Sequence, residues 1–175
     1  MSGTQQHDGA SGSVTNGAQG GALPEHGPYL DKFFPDVYKA MRVPGNLLEE
    51  IYPDVDLEPE LVELVLVRVS QMNRCATCLS IHVPKARKAG VTQRKLDILP
   101  AWRDARDLYS DRERAALELA ETLTALPERN ANSKAALTAC EVFAEEQVAA
   151  LEWAIIRINA FNRISIASGH PPLKY

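Results

Sequence analysis

The stretch Cys75-Ala-Thr-Cys78-Leu-Ser-Ile-His82 holds two thiols and an imidazole at spacings of three and four residues. On a helix those spacings put all three side chains on one face. At a helix start, unpaired backbone N–H groups and the positive end of the macrodipole favour a thiolate and lower its pKa. An imidazole one turn further on accepts the thiol proton directly or through a water. Two thiols this close also form a disulfide across a short loop. These are the parts needed to reduce a peroxide or to exchange a disulfide.

A second candidate, Glu63, stands twelve residues before Cys75 among Leu61, Val62, Leu64, Val65, Leu66 and Val67. A carboxyl group among aliphatic neighbours is desolvated, which raises its pKa toward neutrality and suits it to pass a proton. Arg68 lies off the face of Glu63 by helical spacing, so a pairing between them must run through another element. A zinc site built from Cys75, Cys78, His82 and Glu63 would lack the second cysteine pair that structural sites take from elsewhere in the chain. Cys140, between Ala139 and Glu141 in a helical stretch, reads as a packing residue. Asn159, Asn162 and Arg163 read as a hydrogen-bonded helix or subunit contact. His7, His26 and His170 have no partner that sequence identifies.

The elements that position these residues are helices. Seven of the ten glycines precede residue 28, in a stretch almost without large apolar side chains, so residues 1–27 are expected to form a flexible tail. The remaining residues, 28–175, form the single domain, whose three glycines leave little room for tight hairpins. Apolar spacing predicts a helix over 29–41, then a short segment that Pro44 opens and Pro53 ends. Pro59 suits a first helical turn ahead of 61–72, which is β-branched and strand-like but has no partner strand elsewhere. A helix over 75–89 ends at Gly90, and Thr92 caps a short one through Ile98. Pro84 within the former predicts a bend close to His82. Ser110-Asp-Arg-Glu113 is a capping box for a helix that reaches Leu126. Two final helices are expected over 133–142 and 145–168. The fold class is all-α.

Composition narrows the partners. The 175 residues carry 19 Lys and Arg against 23 Asp and Glu, a formal charge of −4, with no basic block to bind nucleic acid or an anionic membrane. No apolar run approaches the ~18 residues of a membrane span, and no basic or apolar segment resembling a signal peptide precedes Leu23. Three cysteines do not make a disulfide scaffold. A soluble, cytoplasmic protein is expected.

With these residues, the chain resembles the carboxymuconolactone decarboxylase superfamily, in its AhpD-like alkylhydroperoxidase branch. The resemblance spans residues 59–167. It rests on Glu63, on Val69-Ser-Gln-Met-Asn-Arg-Cys75-Ala-Thr-Cys78-Leu-Ser-Ile-His82, on Ala86-Arg-Lys-Ala-Gly90 and on Leu99-Pro-Ala-Trp102-Arg103. Glu113-Arg-Ala-Ala-Leu117, Ala120-Glu-Thr-Leu-Thr124 and Ile158-Asn-Ala-Phe-Asn-Arg163 complete it. It implies an AhpD-like helical bundle assembled as a homo-oligomer, a trimer or hexamer. It further implies a thiol-dependent peroxidase with Cys78 as peroxidatic cysteine, Cys75 as resolving cysteine, and Glu63 and His82 as proton relay. The substrate would be a hydroperoxide, with no bound cofactor and an external dithiol, such as a lipoylated protein, as reductant. Thr77 stands where some members carry a second histidine. The competing expectations are a redox-sensing or structural oligomer, a metal-binding module and a decarboxylase, whose own branch lacks the cysteine pair.

Overall fold

The structure, a computed structural model, describes residues 26–128 and 130–174, so nearly all of the expected tail lies outside the described residues. Every regular element within them is helical: α1 (Leu30–Phe33), α2 (Pro35–Asp54), α3 (Pro59–Met72), α4 (Ala76–Ala89), α5 (Gln93–Ile98), α6 (Asp111–Ala125), α7 (Ala131–Ala139) and α8 (Glu145–Ser168). Two 3₁₀ segments, Leu99–Asp104 and Arg106–Leu108, lead from α5 to α6.

The first expected boundaries are corrected. The residue before a proline is pushed out of the helical region, and Phe34, ahead of Pro35, takes φ −131° and ψ 67°, separating α1 from α2. Pro44 and Pro53 do not delimit a short segment; α2 runs through both. An internal proline costs a helix a hydrogen bond and about 3 kcal/mol. Here the packing of α2 against α8, with Gly45, Leu48 and Tyr52 buried, holds the helix together.

The strand-like segment is the central helix. α3 touches α4, α6 and α8, and Leu64, Val65, Val67 and Val69 are wholly shielded from solvent. Each such side chain contributes roughly 1.5–3 kcal/mol through burial, enough to override the β preference of valine. Arg68 finds its partner on α6: Nε donates to Oε1 of Glu121 at 2.6 Å, and Glu121 also accepts from Trp102 Nε1 at 2.8 Å and from Arg103. Burial pushes the Glu121 carboxyl up, but the bonds from Trp102, Arg103 and Arg68 outweigh it and hold the group below its usual range.

The expected caps of α5 and α6 form. Thr92 Oγ1 accepts from Lys95 N, and Ser110 and Glu113 make both bonds of their capping box. α7 begins and ends earlier than expected, and Cys140 follows it as an exposed residue; Ala139 fills the buried position instead. On α8, Val148, Leu151, Ile155 and Ile158 are core residues, whereas Trp153, Ile156 and Ile166 are exposed. No helix among the described residues is long and apolar enough to cross a membrane.

Candidate functional site

The turn from α3 to α4 decides where the thiols stand. Arg74 adopts the left-handed conformation, φ +56°. Cys75 N donates to Ser70 O and Arg74 N to Gln71 O, both at 3.0 Å. This is the paired closure that usually employs glycine, made here at a cost of about 1–2 kcal/mol. It sets Cys75 as the N-cap of α4, where its sulfur accepts from Cys78 N at 3.4 Å.

Both thiols are buried, Cys75 1% and Cys78 4% exposed, and their sulfurs lie 2.6 Å apart. The Cys75 thiol donates to the Cys78 sulfur. That bond, with support from Asn162, Ser165 and the charge of His82, outweighs burial and brings the Cys78 thiol down to about 6. The same sulfur–sulfur bond, together with burial, pushes Cys75 up. The Cys78 N–H favours negative charge on Cys75, but more weakly, so Cys78 is the thiolate of the pair. Cys78 also lines a cleft of about 690 Å³ between α2, α4, α8 and the C-terminal residues, and Cys75 does not.

His82 follows one turn later, and its Nδ1 lies 2.8 Å from Glu63 Oε2. A carboxylate only accepts, so Nδ1 carries the proton and the other ring nitrogen is left for chemistry. The partner of Glu63 is therefore His82, not Arg68. α4 continues through Pro84 with His82 aimed at Glu63. A second cleft, about 680 Å³, is lined by both members of this pair, so His82 lines both clefts. Among the described residues no three His, Cys, Asp or Glu side chains converge as a metal-binding group.

α8 supplies groups that the spacing of the thiols does not reveal. Ser165 Oγ lies 3.9 Å from the Cys78 sulfur. Asn73 Nδ2 donates to Asn159 Oδ1 at 2.8 Å and to Asn162 Oδ1 at 2.9 Å, while the wholly buried Asn162 donates to Ser70 Oγ at 3.3 Å. The polar patch is thus the expected helix contact and also a support for the thiolate. Its signal was the spacing of Asn162 and Ser165, three apart on an apolar helix. Thr77 binds the chain end: Oγ1 donates to His170 O at 2.5 Å. His170 in turn pairs with Asp31 at 3.0 Å and stacks on Tyr29.

Comparison with known proteins agrees with this architecture. Residues 36–122 match the family model described as the carboxymuconolactone decarboxylase family. The uncharacterized protein YdfG of Bacillus subtilis (strain 168) is 44% identical over 108 residues, 62% of this chain and 73% of its own length. The crystal structure of ATU0492 from Agrobacterium tumefaciens, a protein of unknown function provisionally described as the antioxidant defence protein AhpD, superposes with a TM-score of 0.74. It is 27% identical and covers 83% of this chain and 96% of its own.

The chain belongs to the carboxymuconolactone decarboxylase family, in its AhpD-like branch.

The uncharacterized protein YnjA of Escherichia coli (strain K12) is a further relative, 37% identical over 71 residues, 41% of this chain and 38% of its own length. The match to the carboxymuconolactone decarboxylase model contains Glu63, Cys75, Cys78 and His82 but ends before α8. Asn162 and Ser165 lie beyond that match, and the packing of α8 brings them to Cys78.

Proposed function

We propose that the protein is a thiol-dependent peroxidase in which Cys78 is the peroxidatic cysteine, Cys75 the resolving cysteine and the His82–Glu63 pair the proton relay. The observation that carries this reading is the asymmetric thiol pair: two sulfurs 2.6 Å apart, of which the one facing the cleft has the lowered pKa. The Cys78 thiolate attacks the terminal oxygen of a hydroperoxide. The O–O bond breaks, the alcohol leaves with a proton relayed through His82, and Cys78 becomes a sulfenic acid. The Cys75 sulfur then displaces water to form the disulfide, and an external dithiol, of lipoyl type or similar, returns both electrons by exchange.

The working form is a cytoplasmic homo-oligomer, a trimer or hexamer. Val37, Val43, Leu47 and Ile51 are exposed along one side of α2, an apolar stripe that supports this reading. Intact mass spectrometry after one equivalent of hydroperoxide tests the chemistry. The expected product has lost one hydrogen from each of Cys75 and Cys78, and an added dithiol restores steady turnover. An oxidised pair without turnover would favour a redox sensor, and an unreacted pair would overturn both.

A further inference from the structure

Arg157 of α8 lies across Gly45 of α2. A Cβ on Gly45 would come within 2.8 Å of Nη1, so glycine is what leaves the guanidinium its place. Arg157 belongs to no ion pair among the described residues. Its Nε is buried and meets no acceptor at hydrogen-bond distance, and the buried Tyr52 hydroxyl is the polar group that faces it. A guanidinium that lines the cleft without an ion-pair carboxylate is free to take an anion from it.

The surrounding charge favours an anion in the Cys78 cleft. Lys32, Arg42, Lys85, Arg157 and Lys174 line it, against Asp31 and Glu49, and Asp31 is already paired with His170. This is a basic cleft in a chain of net charge −4. Ile81, Phe161 and Leu173 give the same cleft apolar walls. Eight residues of α8 separate Arg157 from Ser165, which touches the Cys78 sulfur, a rise of about 12 Å. A zig-zag chain of ~1.5 Å bonds spans that distance with roughly nine or ten carbons.

We infer that the cleft selects hydroperoxides that bear a carboxylate at the far end of an aliphatic chain, with Arg157 holding the carboxylate while the peroxide meets Cys78. The inference rests on the peroxidase reading and adds its substrate class. The chemistry at the peroxide is as described above: the O–O bond breaks, Cys78 is oxidised, the alcohol departs, and the carboxylate is not consumed.

The test compares a long-chain fatty-acid hydroperoxide with its methyl ester. In the wild type the free acid is expected to exceed the ester in kcat/KM by about tenfold or more, as a charge-assisted contact implies. In Arg157→Met that ratio collapses to near one, and Arg157→Lys recovers part of it. A wild-type ratio near one, or a ratio retained in Arg157→Met, overturns the inference while leaving the peroxidase intact. If the wild type reduces neither compound, the peroxidase reading falls. The anion site is then read by calorimetry with decanoate: saturable binding lost in Arg157→Met supports it, and no binding overturns it.

Discussion

His82 Nδ1 and Glu63 Oε2 are 2.8 Å apart, joining α4 to α3 across 19 residues of sequence. The bond gives the imidazole a fixed tautomer and sets it one turn beyond Cys78. It also places the carboxylate where a change in its charge reaches the imidazole before anything else.

Glu63→Gln keeps the shape of this contact and removes its charge. The expected outcome is a fall in hydroperoxide reduction of about 10²-fold or more, at the low end of acid–base effects, with little change in Tm. The glutamine Oε1 can still accept from His82 Nδ1, so the contact between α3 and α4 is kept and stability is spared. Initial rates and thermal melts on the one variant check it; a destabilised protein whose folded fraction keeps its full rate would sink the relay.

The two thiols differ in what their loss does. Cys78→Ser abolishes reaction with hydroperoxide, because the remaining Cys75 lacks both the cleft and the lowered pKa. Cys75→Ser reacts once and stops as the sulfenic acid, since no second sulfur condenses with it. Intact mass after a single turnover distinguishes them, and equal loss in both variants would refute the assignment.

Reactivity should follow the titration of Cys78. Its folded pKa is lowered to about 6, so below that pH it is a thiol and above it a thiolate. Alkylation by iodoacetamide is therefore expected to accelerate as pH rises through about 6 and to level off by neutrality. Ser165→Ala removes one supporting hydroxyl and shifts the rise to higher pH. A rise only near the ordinary thiol range in the wild type would contradict the asymmetric pair.

Glu121 has a structural role away from the thiols. Glu121→Ala leaves the partly buried Arg68 without its carboxylate and should lower unfolding free energy by about 2–3 kcal/mol, measured by urea denaturation. The Glu121 pKa is lowered in the folded state. Its stabilisation is thus present above its unfolded pKa and lost as pH falls through the folded one. The variant should accordingly lose less further stability on acidification than the wild type does.

Leu47→Glu puts a charge in the middle of the exposed apolar side of α2. Light scattering is expected to show an oligomer for the wild type and a monomer of unchanged helicity for the variant. A wild-type monomer at micromolar concentration would remove the proposed assembly.

Local signals were legible in the sequence wherever one residue type suffices. Gly90 and Gly169 close their helices at φ +118° and +63°, and Pro59 opens α3 as a first-turn proline does. The capping box at Ser110 and Glu113 needs only residues three apart. The cysteine–histidine face of α4 follows in the same way, because helical spacing alone brings those side chains together.

What only the tertiary structure decided involves residues far apart in the chain or residues acting against their preference. The turn at Arg74 uses an arginine where glycine would have signalled it, and α2 carries Pro44 because α8 packs on it. Cys140 lies in a helical pattern, yet which face of so short a helix is buried depends on its neighbours. The pairing of Glu63 with His82, of Arg68 with Glu121, and of Thr77 with the chain end each joins separate elements. Sequence spacing determines which side chains share one helix face; which face meets which is settled by burial of the whole apolar surface at once.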